Sequence, residues 1–320
     1  MNSLYPWLNI PWQQWLQRAE QGKAPASLLV ASRDGLGSDR LIRNIAKSLL
    51  CTTSDDACGF CHSCQLFSAG NHPDFHHITP EKEGKAISVD TIRLASKAAL
   101  NSSQLGGTRV IYISPAESMN ESAANALLKT LEEPAASCYF ILETLSNKAL
   151  LATILSRCQR VNVAHPSPDV FLRWLSEQGY TELPQYLYQL AEGSPVEALR
   201  LLESGLYKET EQLAEKWLKF VASPKSELVS FGRWLAEEPD RRLSWLWMLF
   251  SDVIRYQMGL QSNTYLPCVQ DVAANLSPQR VQEMMQNLAR CRNELKLYSG
   301  LNAELMVINW LTTTHEVACL

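Results

Sequence analysis

The sequence has no long apolar run. None of its 320 residues falls in a stretch approaching the eighteen or so uninterrupted apolar residues of a membrane span, so a membrane-spanning helix is not expected. The first ten residues lack a basic segment followed by an apolar one, so no signal peptide is expected and the location implied is cytoplasmic. No excess of positive charge is present either. Lys and Arg number 29 against 33 Asp and Glu, a formal net charge of -4. That balance gives no whole-chain footprint of a strong duplex-DNA binder, while leaving room for a local basic patch. No repeat of fixed period and no low-complexity segment occurs, which sets aside solenoids and biased linkers. With 46% hydrophobic and 19% charged residues the chain is an ordered globular one, long enough for two or three domains.

An even set of cysteines is also missing. There are nine, at 51, 58, 61, 64, 138, 158, 268, 291 and 319, and an odd count in a chain of this location is poor evidence for disulfides. Four of them form Cys51-x6-Cys58-x2-Cys61-x2-Cys64. Four thiolates at this spacing suit a closed tetrahedral structural zinc site, because each Cys-x2-Cys turn brings two sulfurs onto one ion. A redox Cys-x2-Cys motif needs only two cysteines and a thioredoxin-like unit around them, and an iron–sulfur cluster is the other four-cysteine option. His62 lies inside the loop and can substitute as a ligand. His72, His76 and His77 read as exposed or core histidines.

Strand and helix alternate along the first half. Ser27 to Ala31 is a short apolar strand. Ser32-Arg-Asp-Gly-Leu-Gly-Ser-Asp39 then leads into a helix carrying Leu41, Ile42, Ile45, Ala46 and Leu49. Strand, glycine turn, helix is the setting of a phosphate-binding loop, whose backbone N–H groups cradle phosphates. It needs a lysine for the β- and γ-phosphates and a Ser or Thr for magnesium. Gly35 and Gly37 are present, but Ser38 stands in the lysine's place, Asp39 in the hydroxyl's, and Ser32 replaces the first glycine. A missing cation and an added anion predict a phosphate loop that kept its fold and lost its ligand, with an unusual nucleotide site as the alternative.

Further along, a helix is predicted from about Pro11 to Gln21. Another covers Ile87 to Leu100, with Ile92, Ala95, Ala99 and Leu100 on its apolar face. A buried strand spans Val110 to Ile113. Asn125-Ala-Leu-Leu-Lys-Thr-Leu-Glu-Glu-Pro134 reads as the end of a helix, with Ala124, Leu127, Leu128 and Leu131 on one face, Ser118 or Asn120 as cap and Pro134 as stop. A strand at Cys138 to Leu142, a short helix at Leu150 to Leu155 ending in Ser156-Arg157-Cys158, and a strand at Arg160 to Val163 follow. Such alternation implies a parallel sheet. After His165-Pro-Ser-Pro168 the chain reads as helix throughout, with Pro224, Pro239, Pro267 and Pro278 as punctuation and a last helix from Ala303 to about Leu311 capped by Asn302.

Taken alone, Arg157 is a surface charge. However, the Asn125 to Pro134 motif followed by Ile154-Leu-Ser-Arg-Cys158 closely resembles the ATPase domains of bacterial sliding-clamp loaders, the AAA+ clamp-loader family of DNA polymerase III. Tyr5-Pro-Trp-Leu8 and Cys64-Gln-Leu with Gly70-Asn-His72-Pro-Asp74 extend the resemblance over roughly residues 4 to 165. Gly193-Ser-Pro195 and Leu301-Asn-Ala-Glu-Leu305 support it more weakly beyond.

The resemblance implies an α/β AAA+ domain of P-loop type at 1–165 with a zinc-binding insertion at about 51–64, a helical lid at 166–204, and an all-α oligomerising collar at 205–320. In this family Ser156, Arg157 and Cys158 occupy the motif whose arginine reaches into a neighbour's ATP site. The acidic magnesium and base pair falls on Ser114 and Pro115, the sensor-1 residue on Thr144, and the sensor-2 arginine on Val196. Loss of those catalytic positions with retention of the arginine implies a subunit that binds and hydrolyses no ATP itself. It would work as a rigid wall, supplying a finger to an adjacent tau/gamma-type ATPase. The partners implied are three such ATPases, a delta subunit and, through the complex, the beta sliding clamp and primed DNA. An active tau/gamma-type ATPase and a zinc-dependent DNA-binding adaptor are the two alternative classes. The first predicts nucleotide binding by the chain alone, the second salt-sensitive DNA binding by the 51–64 module.

Overall fold

A computed structural model describes residues 4–82, 84–145, 150–260, 262, 264–298 and 300–316. The first three residues of the signal-peptide reading and Cys319 lie outside them. The chain forms two compact units, residues 1–174 with 194–196, and residues 175–193 with 197–320.

The first unit holds five parallel strands, β1 (Ser27–Ala31), β2 (Phe75–Ile78), β3 (Arg109–Ile113), β4 (Cys138–Thr144) and β5 (Gln159–Asn162), in the order β2-β3-β4-β1-β5. Every residue of β1 and β3 is buried, as expected of strands covered on both faces. Helices α1 (Asn9–Glu20), α2 (Ser38–Leu50), α3 (His62–Ser68), α4 (Val89–Leu100), α5 (Glu121–Glu132) and α6 (Ala152–Leu155) surround the sheet. Leu29, Ile111, Ile113, Phe140 and Leu142 share one core with Ile92 and Ala95 of α4 and Leu127 and Leu131 of α5. On the amphipathic α2, Leu41, Ile42, Ile45, Ala46 and Leu50 are buried, and the helix packs against β3.

Local chemistry sets the boundaries. Asn120 accepts the N–H of Ala123 at 2.8 Å and caps α5, so the cap is Asn120 and not Ser118, which closes a short 3-10 turn instead. Ser88 caps α4 by accepting from Thr91. Leu100, expected on the buried face, is 70% exposed: at roughly 100° per residue it lies about 100° around the helix from the arc of Ile92, Ala95 and Ala99, which is buried to its last turn. Helix α1 starts two residues before Pro11, which sits in the first turn where a missing N–H costs nothing. At the edge of the sheet Asp74 and Arg109 form an ion pair at 3.2 Å, with both side chains at least 95% buried. Asp74 also accepts the N–H groups of Gln104 and Leu105.

Helices α7 (Pro168–Glu177) and α9 (Pro195–Ser204) straddle the division, and the second unit holds α8 (Leu187–Leu190), α10 (Glu209–Ala222), α11 (Pro224–Glu237), α12 (Pro239–Gln257), α13 (Val269–Ala274), α14 (Pro278–Leu297) and α15 (Ala303–Glu316). Prolines open α11, α12 and α14 at the position where they suit a helix start. Trp217, Phe220, Phe231, Phe250 and Trp310 form its aromatic core, Trp217 meeting Phe250 edge-on at 4.8 Å. The last helix runs past the expected Leu311. Thr312, Thr313 and Thr314 return their hydroxyls to the carbonyls four residues earlier, which satisfies them inside the helix. Among the described residues no helix is long and apolar enough to cross a membrane.

Candidate functional site

Three groups of residues singled out in the sequence lie in the first unit. The zinc candidates come first. Cys51 follows the end of α2, Cys61 caps α3 and Cys64 lies in its first turn. The four sulfurs lie within 4.8 Å of one another, with Cys51 and Cys61 at 3.9 Å and Cys58 and Cys64 at 4.0 Å. A tetrahedral site with Zn–S near 2.3 Å separates its sulfurs by about 3.8 Å, so the four residues fit a single zinc ion. The backbone of Cys58, Cys61 and Cys64 donates N–H to the sulfurs of Cys51, Cys58 and Cys61 respectively, the arrangement that stabilises thiolates. Burial opposes ionisation of Cys51, but hydrogen bonds led by the Thr53 hydroxyl win and bring it to about 5. Backbone hydrogen bonds led by Thr52 bring Cys61 to about 7, while burial pushes Cys64 up to about 12. His62 opens α3, and His72 is a buried core histidine held by Ser63 at 2.8 Å.

The phosphate loop lies at the carboxyl end of β1. Gly37 takes a left-handed conformation, φ +70°, to start α2. The loop's surroundings are occupied by the chain itself. The Tyr5 ring lies directly against Gly37, in the space a β-carbon would need. Tyr5 stacks on Trp7 at 4.7 Å, and both meet Trp174 edge-on. Arg40 lies over the outer face of Tyr5, 3.9 Å from its centre. The Trp7 indole donates to the Leu36 carbonyl, and Ser194 donates to that of Gly35. Ser38 is buried and donates to Glu143 at 2.5 Å. Asp39 is exposed in the first turn of α2, where the helix dipole favours an anion.

Glu143 is the residue that periodicity passes over. It sits 8% exposed near the end of β4 and accepts from Ser38, from Tyr112 and, at 2.6 Å, from Ser114. Burial first, then the Glu143 charge, raises Tyr112 well above the ordinary tyrosine value. Ser38 and Ser114 stand where the resemblance puts the phosphate-loop lysine and the magnesium carboxylate. A carboxylate therefore links those two positions directly. The one available signal is a charged residue inside an otherwise apolar strand. Thr144, fully buried beside it, pairs with Ala31 and its carbonyl accepts the N–H of Ser32. Val196 lies in the first turn of α9.

In the Ser-Arg-Cys turn, Ser156 returns its hydroxyl to the Thr153 carbonyl, and Cys158 is buried in the core with its thiol pushed up to about 11 by burial. Ser156 is exposed, and beside it Arg157 is 29% exposed at the surface. Its Nε donates to Glu132 at 2.6 Å, Nη2 donates to the same carboxylate oxygen, and Nη1 donates to the Thr153 carbonyl at 2.9 Å. Glu132 belongs to the Asn125 to Pro134 motif, and nothing in the sequence gives it a role.

Known proteins resemble the chain along nearly its whole length. A family profile described as DNA polymerase III, delta subunit, matches residues 8–167, and one described as DNA polymerase III, delta subunit, C terminal, matches residues 204–316. The chain is 32% identical to the DNA polymerase III subunit delta' of Haemophilus influenzae, with 98% of this chain and 97% of the relative covered. The Yersinia pestis protein of the same description is 34% identical and that of Escherichia coli 32%, each with 96% of this chain and 94% of the relative covered.

Proposed function

The chain belongs to the DNA polymerase III delta-subunit family and is a clamp-loader subunit; on that premise we propose that it hydrolyses no ATP itself and lends Arg157 to the ATP site of an adjacent tau/gamma-type subunit. The observation that carries this reading is the contrast between the two ends of the ATPase machinery. The chain's own phosphate site is closed by Glu143, Tyr5 and Trp7, whereas Arg157 stays on the surface with its guanidinium ordered. Arginine in this role stabilises charge developing on the transferred phosphoryl group, and fingers given in trans to GTPases accelerate hydrolysis roughly 10³–10⁵-fold. A subunit can lose its own chemistry and still be required for its neighbour's.

The same reading takes residues 1–165 as the AAA+ domain, 166–204 as the lid and 205–320 as the collar, with Ser156 and Cys158 fixing the turn that displays Arg157. The Cys51, Cys58, Cys61 and Cys64 cluster holds structural zinc, which supplies a cross-link and no chemistry. The partners are tau/gamma ATPases and a delta subunit, and through them the beta clamp and primed DNA, in the cytoplasm.

The test is a loader reconstituted with Arg157→Ala, checked for assembly by gel filtration and assayed for DNA- and clamp-stimulated ATP hydrolysis. A large fall in rate with the complex intact is the expected result. An unchanged rate would make Ser156-Arg157-Cys158 only a structural turn.

A further inference from the structure

Arg157 is not a loose surface arginine. Glu132 takes its Nε and Nη2 on one carboxylate oxygen, the Thr153 carbonyl takes Nη1, and Ser156 Oγ lies 3.4 Å from Nη1. Three of the five guanidinium N–H bonds are thus committed firmly and a fourth, on Nη1, weakly, leaving one hydrogen, on Nη2, for an acceptor from outside. The two partners come from the ends of different helices. Glu132 is the last residue of α5, and Arg157 follows the end of α6 by two residues.

Stability is a poor reason for Glu132. The side chains are 29% and 47% exposed, and ion pairs at such positions contribute little. A carboxylate in the last turn of a helix also opposes the helix dipole, so α5 gains nothing from Glu132 on its own account. What the pair does fix is direction. An arginine side chain otherwise samples many rotamers, and an acceptor in the neighbouring subunit would have to select the competent one each time. With Nε and Nη2 docked on Glu132, the guanidinium plane and its outward edge are set before the phosphate arrives.

We propose that Glu132 is the positioning residue for Arg157: it orients the finger for the adjacent active site without touching nucleotide itself. This rests on the finger reading above. Glu132 acts on the charge-stabilising step and not on ATP binding, since it holds the donor and meets no substrate. The amide of a glutamine keeps an oxygen that accepts the same two N–H bonds, whereas alanine keeps none.

The experiment is a set of loaders carrying Glu132→Ala, Glu132→Gln, Arg157→Ala and the double Glu132→Ala/Arg157→Ala, with kcat and KM for ATP measured on intact complexes. The fall produced by Arg157→Ala defines the Arg157-dependent share of the rate. Glu132→Ala is expected to reduce that share about tenfold, within the roughly 30-fold ceiling that arginine rotamer freedom sets, with KM unchanged. Glu132→Gln should recover most of it, and adding Glu132→Ala to Arg157→Ala should change nothing further. If Arg157→Ala is slow while Glu132→Ala matches or exceeds wild type, Glu132 is a decoration or a latch that withholds the finger, and the proposal is overturned. If Arg157→Ala itself has no effect, the finger reading has failed and takes this proposal with it.

Discussion

Ser38 donates its hydroxyl to Glu143 at 2.5 Å, joining the start of α2 to the end of β4 beneath the glycine loop that follows β1. With Tyr112 and Ser114 on the same carboxylate, β3, β4 and the phosphate loop that follows β1 are tied by one buried side chain. Restoring the lysine and hydroxyl as Ser38→Lys/Asp39→Thr is therefore expected not to restore ATP binding by isothermal titration, because the new lysine pairs with Glu143 inside the fold. Glu143→Ala should leave three hydroxyls without their acceptor and cost about 2–4 kcal/mol. It should show as faster hydrogen exchange of the β1, β3 and β4 amides. Tight ATP binding by the Ser38→Lys/Asp39→Thr variant with Glu143 in place would defeat this account.

His72 makes the fold sensitive to mild acid. Its Nδ1 accepts the N–H of Asp74 at 3.1 Å, and its Nε2 lies 2.8 Å from Ser63, whose hydroxyl donates to the Leu50 carbonyl. Burial holds His72 below the ordinary 6.5, and protonation would put a hydrogen on the nitrogen that must accept. A histidine depressed in the folded state contributes stability that is full above its unfolded value and lost as pH falls through the folded one. Asp74 follows the same sign lower down. Burial alone would raise it, but Gln104, Leu105 and Arg109 together hold it below 3.8. The histidine contribution to the urea midpoints should be flat above about pH 7 and decline below about 6.5. A second loss should follow below about pH 4. His72→Gln should shrink the first step, to which His76 and His77, also lowered by burial, contribute, and leave the second; an unchanged first step would exclude His72 as a source.

Zinc removal should unravel one corner and spare the rest. Purified, reduced protein is expected to carry one zinc per chain by elemental analysis, held by Cys51, Cys58, Cys61 and Cys64. Zinc in isolated structural peptides contributes about 10–16 kcal/mol of apparent binding free energy. Here the sheet and its helices form a core of their own, so chelation or Cys61→Ser should lower the melting temperature and expose residues 51–68 to protease while the helical unit keeps its circular dichroism. Metal-free protein of full stability would remove the structural role.

Local periodicity carries much of the fold and little of the site's closure. It places both ends of the Ser27 to Ala31 strand correctly and begins the Val110 to Ile113 strand one residue late, because runs buried on both faces stand out in sequence. The set of four cysteines is legible because its members are neighbours in the chain. Leu100 is misplaced because it lies about 100° around the helix from the arc of Ile92, Ala95 and Ala99, so helical spacing does not put it on their face. Glu143 and Tyr5 escape for a related reason: the partners of Glu143 lie 105 residues away at Ser38 and 29 away at Ser114, and Tyr5 meets Gly37 only once the sheet is assembled. The missing lysine announces a lost ligand, but not what takes its place.

Gly37 gives the sharpest check on how that place is filled. Its φ of +70° is one that L residues adopt at a cost of roughly 1–2 kcal/mol, and a β-carbon there would lie 2.6 Å from one ring atom of Tyr5 and closer still to another. Tyr5 cannot swing away cheaply, since it is stacked on Trp7, meets Trp174 edge-on and is covered by Arg40. Gly37→Ala is therefore expected to cost about 2–4 kcal/mol, the sum of backbone strain and a displaced aromatic stack. Tyr5→Ala alone should also destabilise, through lost burial and a cavity. In the double variant the clash is gone and only the φ term remains, so its cost should fall short of the two single costs added together by about 1–2 kcal/mol. Simple additivity in a urea titration would mean that Tyr5 does not press on the loop in solution, and that the loop is held by Glu143, Trp7 and Ser194 without it.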